Sequence, residues 1–77
     1  MYLKVPYSNQ KEDITLSYAT VQEIEMFLKS VIPDNILSLL KVDEDLNYPC
    51  VEFSKEATRE DYVLVQRKLI DAGFEAY

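Results

Sequence analysis

Apolar and polar residues alternate along this chain with two different periods, and each switch of period marks an element. In YLKVPY, residues 2–7, Leu3, Val5 and Tyr7 alternate with Tyr2, Lys4 and Pro6. A step of two predicts a strand, and Pro6 suits its edge or end. The polar run SNQKED predicts a turn. ITLSY, residues 14–18, alternates again, with Ile14, Leu16 and Tyr18 opposite Thr15 and Ser17, so the two runs predict a hairpin. Beyond Thr20 the period becomes helical: Val21, Ile24, Phe27, Leu28 and Val31 recur through VQEIEMFLKSVI. TVQE in front of it has the form of a capping box. There the Thr20 hydroxyl accepts from the Glu23 amide, and the Glu23 carboxylate reaches back to the amide of Thr20. Pro33 ends this helix, because the residue before a proline resists helical angles.

NILSLLKV, residues 35–42, fits either a short helix capped by Asp34 or a strand apolar on both faces. The strand is the better expectation, because KVDEDLNYPCVEF then supplies its turn and its returning partner. In that partner Val51 and Phe53 alternate with Cys50, Glu52 and Ser54. Thr58 opens a second helix, with Asp61 in the place that Glu23 holds in the first. Tyr62, Val65 and Leu69, flanked by Val63 and Ile70, form its apolar stripe. Gly73 stands where a C-terminal cap takes a left-handed residue. FEAY then makes a short edge strand or a packed tail. TVQEIEMFLKSVI and TREDYVLVQRKLI align without gaps, as any two capped amphipathic helices would, and each follows a hairpin. The expected architecture is a small α+β domain, residues 1–77, of order β-β-α-β-β-α with a short C-terminal edge strand. Both helices are expected on one face of a mainly antiparallel sheet.

Composition sets the limits. A chain of 77 residues supports one small core, and 48% hydrophobic residues with a single glycine oppose disorder. No apolar run reaches the roughly 20 residues of a membrane span. MYLKVPYSNQ lacks the basic start and apolar stretch of a signal peptide, and one cysteine forms no internal disulfide. A cytoplasmic protein is expected. Fourteen acids against eight bases give a net charge of −6. That balance opposes contact with phosphate backbones, and suits solubility or a basic partner.

Little catalytic chemistry is written in the chain. In VDEDLNYPC, Asp43, Asp45 and Asn47 have the step of a calcium loop, but Tyr48 replaces the turn glycine and Ser54 the terminal glutamate. The stretch reads as a solvated hairpin turn, and no metal is expected. Without histidine, neither a Cys-His nor a Ser-His pair can form within one chain. There is no glycine-rich phosphate loop and no zinc-ligand cluster. Cys50 reads as a strand filler or a half-exposed thiol. A non-enzyme without cofactors is expected. CVEFSKEATREDYVLVQRKL resembles the third strand and second helix of RNA-recognition-motif domains, Val51 and Phe53 filling a V-x-F pattern. The leading base, the glycines and the earlier aromatic of that motif are absent, with LNYPC in their place. With the acidic charge and with Val51 and Phe53 turned toward the helices, no RNA binding is expected. DAGFEAY is similar to the helix-to-edge-strand ending of ferredoxin-like domains.

The contact candidates are apolar residues on polar faces. Met26 falls between Gln22 and Ser30, and Leu64 beside Arg67, Lys68 and Asp71. Leu37 and Leu39, on a strand, would point away from Leu40 and Val42. They would share an uncovered face with Tyr2, Lys4, Thr15, Ser17, Lys41, Cys50 and Glu52. Tyr2, Met26, Leu37, Leu39, Cys50 and Leu64 are therefore the expected partner-binding residues. The function expected is that of a protein-interaction module binding another protein or itself as a homodimer, with neither nucleic acid nor membrane as a direct partner. The alternatives are an acidic mimic that occupies a nucleic-acid-binding surface, and a ferredoxin-like regulatory domain that binds a small molecule.

Overall fold

Residues 1–9, 16–45 and 48–77 are described by the computed structural model, Asp45 by its backbone alone. The elements are β1 (Tyr2–Lys4), β2 (Tyr7–Ser8), β3 (Ser17–Tyr18), α1 (Val21–Val31), α2 (Asp34–Leu37), β4 (Leu40–Asp45), β5 (Tyr48–Phe53), α3 (Arg59–Asp71) and β6 (Phe74–Glu75). The class is α+β, as expected, with two antiparallel three-stranded sheets of order β1-β5-β4 and β3-β2-β6. The N-terminal strand ties them together. Lys4 pairs with Cys50 of β5 and also exchanges backbone bonds of 2.7 and 2.9 Å with Tyr77. The first hairpin is present as β2 and β3; its turn, with Ile14 and Thr15, lies outside the described residues.

One register shift shapes the molecule. Lys4 opposes Tyr77, whereas Tyr7 opposes Glu75. Two residues of the first strand, Val5 and Pro6, therefore face the single Ala76, which is a β-bulge. Pro6 has no N–H to give to a ladder, so the extra residue falls where a proline is tolerated. Beyond the bulge the alternation inverts. Ser8, paired with buried Phe74, turns inward at 5% exposure, and Tyr7 goes to the side of Lys4, opposite the side of Leu3 and Val5 on which an unbroken strand would place it.

Both helices pack on the inward row. Leu3, Val5, Val51 and Phe53 share one cluster with Ile24 and Leu28 of α1 and with Val65 and Leu69 of α3. Phe27 meets Phe74 at 5.4 Å between ring centroids, and Tyr62 meets Phe53 at 5.3 Å. Full burial of such side chains contributes roughly 1.5–3 kcal/mol each. The stripe of α3 is narrower than the sequence predicts: Val63 and Ile70 are exposed, and so is Val31 of α1, while Ile32 just beyond that helix is buried. Thr58 and Asp61 form the full capping box. Thr20 forms only half of one. Its hydroxyl accepts from the Glu23 amide, but the buried Glu23 Oε1 has no hydrogen-bond partner among the described residues. Gly73 caps α3 at φ 97°, the left-handed conformation its position predicts.

The stretch 35–42 departs from the expected strand. Asp34–Leu37 is one turn of helix, with the Pro33 carbonyl accepting from Ile36 and Leu37 at 3.0 and 2.8 Å. Asp34 is its first residue rather than its cap, and no side chain caps it. The helical turn lets Ile36 and Leu37 pack together against the core, which an alternating strand could not do. The strand begins only at Leu40. It runs through the acids to Asp45, paired with Tyr48, and residues 46 and 47 lie outside the described residues.

Candidate functional site: the exposed tyrosine face

The side of the sheet opposite the helices is built by the same period of two. On β5, Pro49, Val51 and Phe53 point inward and Tyr48, Cys50 and Glu52 outward. Register then places Tyr2 and Lys41 beside Glu52, and Lys4 and Asp43 beside Cys50. Tyr77, opposed to Lys4, and Glu75, opposed to Tyr7, continue the face across β6 and the chain end. Tyr18 completes it as the partner of Tyr7. Five of the chain's six tyrosines thus stand on one face.

The rings are organised. Tyr7 and Tyr18 stack with centroids 5.2 Å apart and planes 30° from parallel, the offset geometry aromatic pairs prefer. The Lys4 ammonium lies 6.0 Å from the Tyr48 ring centroid, at cation–π range. Tyr18 is 72% exposed, Tyr77 59% and Tyr2 42%. The charge of Tyr18 on ionisation, then desolvation and the hydrogen bond that the Tyr7 hydroxyl donates to the same residue, hold the Tyr7 phenol above its ordinary value, with Glu75 and Tyr77 acting in the same direction. At neutral pH the Tyr7 phenol is therefore neutral and both donates and accepts hydrogen bonds. Its charges are mixed: Lys4 and Lys41 against Asp43, Glu52 and Glu75. Lys41 and Asp43 meet at 3.7 Å, both well exposed, a pair of little energetic weight.

The six residues singled out from sequence scatter. Tyr2 lies on the face. Cys50 shares its register there but is 1% exposed, flanked by Lys4 and Tyr48, and offers no contact surface. Leu37 ends α2 and packs on the core, away from the open face, whereas Leu39, in the turn after it, keeps the ladder register opposite Ser54 and lines a shallow hollow with Lys41 and Glu52 beside that face. Met26 is 72% exposed on α1, apart from the sheet. Leu64 lines a shallow hollow on α3 with Arg59, Glu60, Val63 and Arg67. Tyr7, Tyr18, Tyr48 and Tyr77 were not singled out. For Tyr7 the signal was Pro6, the residue that fits a bulge. For Tyr48 it was alternation with Val51 and Phe53.

Asp43 and Glu44 are successive residues of β4 and point to opposite sides of the sheet. Among the described residues no group of three or more Asp, Glu, Cys or His could hold a metal ion, and no helix is long and apolar enough to cross a membrane. No protein-family model, curated protein or solved structure matches the chain.

Proposed function

We propose that this chain is a non-enzymatic binding module that engages another protein through its tyrosine face. The observation that carries the reading is the stacked Tyr7–Tyr18 pair, set among Tyr2, Tyr48 and Tyr77 on a sheet surface that neither helix covers. Tyrosine supplies large contact area at low entropic cost and keeps a hydrogen-bonding tip, which is why it is enriched at interfaces. The mixed charges favour a partner surface that is apolar and hydrogen-bonding rather than strongly basic. The excess of acid belongs to the molecule as a whole, so mimicry of nucleic acid is the weaker reading. Single-stranded nucleic acid could stack on such rings, but Asp43, Glu52 and Glu75 would repel its phosphates.

Affinity capture from the native host, comparing the wild type with Tyr18→Ala/Tyr77→Ala, tests the proposal. A partner retained at high salt and lost in the double variant, with unchanged circular dichroism, is the expected result. Capture that survives the double variant would move the site elsewhere. Binding that collapses as salt rises would favour the mimic, and retention of an oligonucleotide would replace both readings.

A further inference from the structure

Beyond the tyrosine face, β4 is an open edge of the β1-β5-β4 sheet. The Ser54 amide donates to the Leu39 carbonyl at 2.8 Å, in register with the β4–β5 ladder. In an antiparallel ladder the bonded pairs alternate. Lys41 and Asp43 therefore spend their backbone groups on β5, and Leu40, Val42 and Glu44 turn theirs outward. The Glu44 amide bears this out by donating to the neighbouring Asp43 Oδ1 at 2.8 Å instead of to a strand. Beside this edge lies a hollow of about 340 Å³, with Leu28, Leu37, Leu40 and Val42 along it and Glu25 and Lys29 at its rim.

We propose that two copies of the chain pair antiparallel through β4, with Val42 opposite Val42 of the second copy. Outward residues must meet outward residues, which leaves three central two-fold registers. Centring on Lys41 sets lysine against lysine, and centring on Asp43 sets aspartate against aspartate. Centring on Val42 sets Lys41 of each copy against Asp43 of the other. Like charges directly opposite destabilise a pair and unlike charges support it, so charge selects the Val42 register. The same pairing sets the two Val42 side chains together beside their hollows, places Leu40 of each copy against Glu44 of the other and makes one continuous sheet. This surface is the edge of the sheet; it shares Lys41 and Asp43 with the tyrosine face but none of its rings, so the tyrosine variants and the edge variants test the two proposals separately.

Sedimentation velocity over a wide concentration range tests the pairing. Lys41 and Asp43 are 72% and 61% exposed at their side chains, so the charge variants leave the core untouched. The wild type is expected to dimerise. Lys41→Asp and Asp43→Lys should each weaken dimerisation about tenfold or more, and Lys41→Asp/Asp43→Lys together should restore it. Val42→Pro, which removes an outward N–H that β5 does not use, should abolish it. A wild type that stays monomeric, single variants that dimerise fully, or a double variant that stays monomeric would each overturn the proposal. A dimer lost instead in Tyr18→Ala/Tyr77→Ala would also overturn it, by placing self-association on the tyrosine face.

Discussion

Tyr7 reaches the outer face because Pro6 before it sits in a bulge, and its ionisation is then governed by the ring stacked on it. The folded phenol titrates above its ordinary value of 10.0, chiefly because of Tyr18. A group whose pKa is raised by folding contributes stability that is present below the unfolded value and lost as pH climbs through the folded one. Stability should therefore begin to fall above pH 10.0. Tyr18→Phe should bring the Tyr7 transition back toward the ordinary value in an ultraviolet absorbance titration. An unmoved transition would show that Tyr18 is not the cause. The two caps make a second test at this scale. Thr20→Ala and Thr58→Ala should each cost about 1 kcal/mol in urea titration. The larger loss is expected at Thr58, where the Thr58 amide donates in return to the Asp61 carboxylate and completes the box.

At the scale of elements, the bulge and α2 are the two features that decide what faces outward. Deleting Pro6 would remove the extra residue and set Val5 alone against Ala76, so that Tyr7 stays outward and Ser8 inward in strict alternation. A one-residue slip would exchange the two faces of a strand; this deletion avoids one, so the deletion variant should keep a cooperative thermal transition, and loss of that transition would show that the strand is not bulged at Pro6. Leu37 makes the complementary test. As a half-buried member of the core it should cost about 1.5–2 kcal/mol on replacement by alanine, the low end for such a truncation. Were Leu37 a free contact residue, the denaturation midpoint would not move. The hairpin of β4 and β5 was legible in the sequence because its alternation runs through six paired residues. The turn at 34–37 was not, since four apolar-rich residues carry too little periodicity to separate a helical turn from a strand.

Across the whole molecule, the two faces of the sheet should respond oppositely to mutation. Leu28→Ala, in the core between α1 and the sheet, should cost about 2–5 kcal/mol. Tyr18→Ala/Tyr77→Ala should stay within about 0.5 kcal/mol per site of the wild type, the range of surface changes. A loss of several kcal/mol in the tyrosine variant would make those rings structural, and the protein-binding proposal would lose its support. The sequence alone pointed to an uncovered sheet face and named Tyr2 as part of it. It filled the rest with Leu37 and Cys50, where a helical turn and a buried thiol stand, and with Leu39, which does lie beside Lys41 and Glu52.

Local interactions account for what the sequence determined by itself. The helix starts at Thr20 and Thr58, the stop at Pro33, the left-handed Gly73 and the hairpin around residues 46 and 47 all depend on neighbours a few residues away, so their signals lie within short windows. Tertiary structure decided the rest. Whether Tyr7 points in or out depends on the distant Glu75 and Tyr77 setting a register. Cys50, in register with Lys4, is 1% exposed although it alternates with the inward Val51. Leu37 belongs to the core because α2 folds it there. A period of two tells which residues share a face, but only the packing of α1 and α3 on Leu3, Val5, Val51 and Phe53 determines which face is left to the tyrosines.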